Sequence, residues 1–288
     1  MRAEVLALGA AFFIASALVA GQFGLKHISP SAAALVTLPL MTSALWIIAI
    51  FQLDWSAWKS GSLALFIGAG LFFPGMAALL TYEANSRLGP AIVGALGNMG
   101  PLFAMPAAAI LLGELPSFAK FIGMTVALSG AVLISTGRPD NASKRWALAL
   151  LLLPLGSAAI RGLTQPIIKF GLIDWPSPLA AMLATYTTSL IVVTCVTLIR
   201  TPKIRGTFSR AGVLWFSGIA LLNAAGIYSM YAALAIGTVV TVSALVATYP
   251  VVTLALLLPI RNREPMGRRS VAGVLLTVCG IIVLIGSR

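Results

Sequence analysis

Charged side chains are scarce in this chain, 9% of 288 residues, where a soluble domain carries roughly a quarter. Carboxylates are scarcer still, with seven Asp and Glu against nineteen Lys and Arg. So little charge excludes an ordinary water-soluble globule. His27 is the only histidine, and the two cysteines, Cys195 and Cys279, lie inside apolar runs. Neither a histidine-based metal site nor a disulfide frame is therefore expected, and no cofactor is predicted. Paired catalytic groups are missing too: the apolar segments hold no two aspartates and no serine beside a histidine, and Asp54, Asp140 and Asp174 fall between segments. An embedded enzyme needs such a pair, so catalysis is not expected, although hydropathy alone does not separate an enzyme or a structural subunit from other membrane proteins.

What is present is apolar. Residues of the hydrophobic types make up 59% of the chain and the mean hydropathy is +1.02, which predicts an all-α integral membrane protein. The length accommodates about ten spans of roughly 20 residues. Apolar stretches run over 4–25, 31–52, 61–83, 90–112, 119–137, 146–169, 178–199, 211–234, 238–259 and 268–286. Between them stand helix breakers such as Ser29-Pro30, Leu115-Pro116-Ser117, Trp175-Pro176-Ser177-Pro178 and Thr201-Pro202. Trp55, Trp58, Trp146, Trp175 and Trp215 fall near span ends, as an aromatic belt does. The net charge of +12 is read as basic loops facing lipid headgroups, with no nucleic-acid partner. The run from Glu4 through Ala20 has the outline of a signal peptide, a reading set aside because the second half contains a counterpart of this helix.

That counterpart belongs to a duplication. Gly89 and Gly237 each head an arm with a proline twelve or thirteen residues on (Pro101, Pro250), a glutamate shortly before a proline (Glu114, Glu264), and glycines nine and sixteen residues past it (Gly123 and Gly130; Gly273 and Gly280). The echo extends upstream, since Gly21-Gln22-Phe23-Gly24-Leu25-Lys26 matches Thr164-Gln165-Pro166-Ile167-Ile168-Lys169, and Pro30-Ser31 matches Pro176-Ser177. Residues 1–137 and 145–288 are thus predicted as two five-span repeats joined by a loop at 138–144. Five is odd, so the second copy enters from the opposite side and the repeats are inverted, with a substrate site near the midplane where they meet.

Five spans plus five, the Gly113-Glu114-Leu115-Pro116 turn between the fourth and fifth, and the Gly123 to Ile134 stretch, of the type GxxLxLSGxxLI with Val126 in place of the first leucine, resemble the drug/metabolite transporter superfamily, in its EamA-like branch. Asn262-Arg263-Glu264-Pro265, the second turn, departs from that pattern by lacking the glycine. The resemblance is nearest to the YddG-type amino-acid exporters of bacteria. It implies export of small metabolites, often amino acids, from a central cavity lined by the third, fourth, eighth and ninth spans, in the bacterial inner membrane. The partners it implies are a small-molecule substrate and the lipid bilayer, and no second protein is required, so a monomer is the working expectation.

Polar groups inside the spans are where function is sought, because lipid gives them no partners. Arg161 lies well inside the sixth span with Gln165 and Lys169 at four-residue steps along one face. A guanidinium beside an amide suits a substrate carboxylate held by two parallel hydrogen bonds. The alternatives are a structural pair or an interfacial position. Glu83 is the only carboxylate near a span interior; Arg87 four residues on favours an ion pair over a proton carrier, which leaves facilitated diffusion or exchange. Gln22, Tyr82, Asn98, Tyr186, Asn223, Tyr228, Thr248 and Tyr249 complete the candidate substrate-binding set, as orienting groups in an apolar cavity. Pro101 and Pro250 are candidate hinges, kinking the fourth and ninth spans as access alternates. The small-residue stripes of the fifth and tenth spans are read as helix packing, within or between chains.

The function expected is secondary transport by alternating access, with aromatic or hydrophobic amino acids as the substrate. Efflux of organic cations or drugs is the alternative, and it calls for an acidic site. A channel fits the inverted repeats and mid-span prolines less well. Loops on one side carry thirteen Lys and Arg, against five on the other side and at the termini; counting positive charge as cytoplasmic places both termini outside, whereas the family resemblance implies both inside.

Overall fold

The computed structural model describes residues 2–88, 96–136, 148–200, 208–257 and 268–286. Among the described residues there are helices and short turns and no strand, the outcome lipid imposes on backbone groups that must find partners within their own segment. The helices are α1 (Ala3–Gly24), α2 (Pro30–Gln52), α3 (Ser60–Gly70), α4 (Gly75–Leu88), α5 (Gly100–Leu112), α6 (Phe118–Thr136), α7 (Leu148–Asp174), α8 (Pro178–Arg200), α9 (Arg210–Ile236), α10 (Val239–Val246), α11 (Tyr249–Leu257) and α12 (Arg268–Gly286). Among the described residues six apolar segments are long enough to cross a bilayer: Ala3–Gly24, Ala32–Gln52, Ser60–Thr81, Leu150–Asp174, Pro178–Val196 and Arg210–Ile236. Gly100–Leu112, Phe118–Gly130, Val239–Thr253 and Val271–Val283 are shorter apolar helices. Short hydroxyl side chains start many of these elements. Ser29 accepts from Ala32 N–H at α2, Ser177 from Ala180 N–H at α8, Ser209 from Gly212 N–H at α9 and Thr238 from Thr241 N–H at α10, each satisfying a donor that the first turn leaves open.

Three stretches read as single spans are interrupted. The third breaks between α3 and α4 at residues 71–74, where Pro74 has no N–H to offer. Ser189 of α8 repairs the gap: its hydroxyl donates to Gly70 C=O at 2.7 Å and accepts from Gly75 N–H at 3.1 Å. The ninth breaks at Ala247-Thr248, between α10 and α11, and the fourth turns at Asn98-Met99 immediately before α5. Pro101 and Pro250 therefore stand in the first turns of α5 and α11, where a missing N–H costs little. They do not kink continuous helices.

Packing follows a pattern of exchange. α1 lies against α9, α10 and α11, while α7 lies against α3, α4 and α5; α2 packs on α8 and α9, and α8 in turn on α3. α5 meets α10, and α6 meets α12. A Cβ on Gly130 would collide with Thr277 Oγ1, and one on Gly280 with the Ala127 backbone, so the small-residue stripes bring α6 and α12 together inside one chain. The main core gathers Phe66, Ile168, Leu172, Met182, Tyr231 and Leu234 from α3, α7, α8 and α9. Ile47, Phe51, Ile110, Leu214 and Ile282 are exposed on the outside, the surface lipid covers. At the end where α2 and α7 finish, Trp46, Trp55, Trp58 and Trp175 form a continuous ladder of ring contacts 5.5–6.5 Å apart; Trp215 stacks on Phe23 at the opposite end.

Candidate functional site

Arg161 stands near the middle of the 27-residue α7, too deep for an interfacial position. Its Nη2 donates to Thr81 Oγ1 of α4 at 3.0 Å and to Ser157 Oγ at 3.1 Å. Those hydroxyls lie 2.7 Å apart, and both reach the Ala77 carbonyl. A small polar knot thus fastens α4 to α7 and holds the guanidinium. Because Nη2 belongs to both edges by which a guanidinium grips a carboxylate, a two-point grip requires one hydroxyl to yield.

The rest of the site is defined by polar atoms that the fold buries without a protein partner. Among the described residues they are Asn98 Nδ2 and Oδ1, Arg161 Nε and Gln165 Oε1; one further such atom, Tyr231 Oη, lies in the main core. Asn98 is 1% exposed and Gln165 8%. Leaving such a group unpaired costs about 1–3 kcal/mol, so four atoms in one neighbourhood call for an explanation. Their proximity follows from packing. The carbonyl of Gly100 presses against Gly162, where no side chain would fit, which seats the start of α5 on α7. The preceding turn then crosses the guanidinium, a Cβ on Gly97 standing only 3.8 Å from Arg161 Nη2. Tyr249, first residue of α11 after the second break, lies within electrostatic reach of Arg161. Two interrupted helices and a long one therefore converge on one arginine, as in transport sites built from discontinuous helices. Among the described residues no cluster of His, Cys, Asp and Glu able to hold a metal occurs.

The family model for EamA-like transporters matches residues 1–136 and, a second time, residues 147–286. The chain belongs to the EamA-like transporter family. It is accordingly a multi-pass membrane transporter of the drug/metabolite superfamily, a family of transporters and not of enzymes. A crystal structure described only as that of a protein superposes with a TM-score of 0.80 at 15% identity, over 98% of this chain and 96% of the other, a likeness of fold. No curated protein matches the chain by sequence.

Against this site the candidate residues of the EamA-like chain divide. Arg161, Gln165, Asn98 and Tyr249 come together, and Thr248 beside Tyr249 is buried with its hydroxyl donating to Leu245 C=O at 2.6 Å. Tyr186 lies in the main core, 3% exposed. Tyr228 and Gln22 are exposed on α9 and α1, and Asn223 is half-buried. The side chain of Tyr82, the turn at Glu264 and the loop at 138–144 lie outside the described residues. Glu83 pairs with Arg87, Nε to Oε1 at 2.6 Å, on an exposed face. Thr81 and Ser157, the arginine's own partners, were not among the candidates. Ser157 had a legible signal, its position one turn before Arg161 on the same face.

Proposed function

We propose that the protein exports small carboxylate-bearing metabolites, amino acids foremost, by alternating access through ten spans arranged as two inverted five-helix halves, residues 1–137 and 145–288, in a bacterial inner membrane. The observation that carries the substrate reading is the set of unpartnered buried atoms around Arg161. Arg161 Nε and Asn98 Nδ2 are donors suited to a carboxylate; Asn98 Oδ1 and Gln165 Oε1 are acceptors suited to an ammonium. A zwitterion of amino-acid size offers both. An organic cation would leave the guanidinium facing like charge, which disfavours the drug-efflux alternative.

The inverted arrangement draws support from the packing. Exchanging each span of the first half with its counterpart five spans later carries α1 on α9 into α7 on α3 and α4, α1 on α10 and α11 into α7 on α5, and α2 on α9 into α8 on α3, while α6 on α12 maps onto itself. Phe66 of α3 packs on Gly171 of α7, and Phe216 of α9 on Gly24 of α1. The two matches to one family model point the same way.

The decisive measurement is uptake of radiolabelled amino acids into proteoliposomes, with and without a pH gradient. Uptake is expected, and failure to move any amino acid while moving an organic cation overturns the reading. In the same assay Arg161→Gln is expected to raise KM for carboxylate substrates by about 10- to 100-fold, the worth of a hydrogen bond to a charged group, and to spare uncharged analogues. Equal effects on both would make Arg161 structural.

A further inference from the structure

The polar knot around Arg161 solvates the guanidinium without neutralising it. Thr81 Oγ1 and Ser157 Oγ each have one proton, and both reach Ala77 C=O, at 2.8 and 2.9 Å. What they turn to Arg161 Nη2 is therefore lone pairs of uncharged oxygen. The described carboxylates are placed elsewhere. Glu83 meets Arg87, Glu114 accepts Val239 N–H, Asp54 accepts from Ser56 and Asp174 from Ser62, while Glu4 stands in the first turn of α1. None of these contacts brings a negative charge to the guanidinium. A cation held deep in a span without a counter-ion is costly, and water satisfies its donors without removing its charge.

The surroundings of Arg161 favour an anion. The first turn of α5 is seated on the turn of α7 that carries it: a Cβ on Gly100 would stand 3.6 Å from Ala158 C=O, and one on Gly162 would meet Gly100 C=O. The positive end of the thirteen-residue α5 thus adds to the guanidinium. Asn98, two residues before that helix and 1% exposed, buries Nδ2 without a partner, and Arg161 Nε is unpartnered as well. We infer that a halide ion, chloride in the cell, takes the carboxylate position at Arg161 between substrates and is displaced when the amino acid binds. The ion serves the two donors, Arg161 Nε and Asn98 Nδ2, and leaves Asn98 Oδ1 and Gln165 Oε1 unserved. A zwitterion serves all four atoms, which is why it wins the exchange. The inference rests on the reading of Arg161 as the carboxylate site, but the ion binds without transport and is measured apart from it.

The test follows the melting temperature of the full chain in detergent as sodium chloride is added, with ionic strength held constant by sodium HEPES. Saturating chloride is expected to raise it by about 2–4 °C. Asn98→Leu and Arg161→Gln are each expected to abolish the rise. Asn98→Leu deletes two unpaired polar atoms at nearly the same shape, so it is expected to fold as the wild type does. No rise in the wild type, or a rise that persists in either variant, overturns the halide site. In proteoliposomes, chloride on both sides is expected to raise KM for amino-acid uptake severalfold at an unchanged maximal rate; a lowered maximal rate at constant KM would overturn the competition. A rise that both variants lose, in protein that moves no amino acid, would remove the amino-acid reading and leave the halide site standing.

Discussion

Arg161 Nη2 has two hydrogens, and Thr81 and Ser157 take both. In the substrate-free protein they satisfy a charge that would otherwise be buried with open donors, which costs about 1–3 kcal/mol or more. A carboxylate that grips either edge of the guanidinium replaces one of them. Thr81→Val, which keeps the shape and deletes the acceptor, therefore penalises the empty site more than the occupied one. The expected result is a KM lowered by up to roughly tenfold together with a lower melting temperature of the substrate-free protein; a raised KM would show that the hydroxyl positions the guanidinium instead. The same residues explain what sequence reading finds and misses. Arg161, Asn98 and Gln165 stand out because an amide or a charge in an apolar run has no cheap place to go. Thr81 is silent, since its hydroxyl donates to Ala77 C=O one turn back, the way hydroxyls hide in any membrane helix.

At the scale of the helix, hydropathy locates the segments and says little about which face looks inward. Lipid and core are equally apolar, so a membrane helix need not be amphipathic. Tyr186 in the core and Tyr228 on the outside were indistinguishable for that reason. The breaks were also illegible as breaks, because what makes them tolerable is supplied from elsewhere. Ser189 sits 114 residues from Gly75 in sequence and closes the α3–α4 gap from both sides. Ser189→Ala leaves a buried N–H and a buried C=O unpaired, and a loss of about 1–3 kcal/mol is expected in denaturant unfolding from detergent, with Thr125→Ala on the exposed side of α6 as a near-neutral control. Pro101→Ala and Pro250→Ala restore an N–H at the first turns of α5 and α11, favouring continuation of the helix across the break. Slower transport with little change in KM is expected of both. Full-rate transport by both variants would deny the breaks any part in the cycle.

For the whole molecule, the duplication was the most legible feature, because a gene copied once leaves Gly, Pro and Glu at matching positions even after the apolar residues between them have drifted. The family model matches twice, over residues 1–136 and 147–286. Orientation is set by a different quantity, the thirteen-to-five distribution of basic residues between the two sides. That bias predicts both termini outside the cytoplasm, to be checked with a carboxy-terminal reporter that is active only in the cytoplasm; activity of that fusion would reverse the orientation. The tryptophans mark the two sides optically. Four of the six, Trp46, Trp55, Trp58 and Trp175, are ring-to-ring neighbours at one end, close enough to exchange excitation, so most of the intrinsic emission of the protein originates in a single leaflet. Brominated lipid confined to that leaflet would darken the protein, and the same lipid in the other leaflet would leave most of its light.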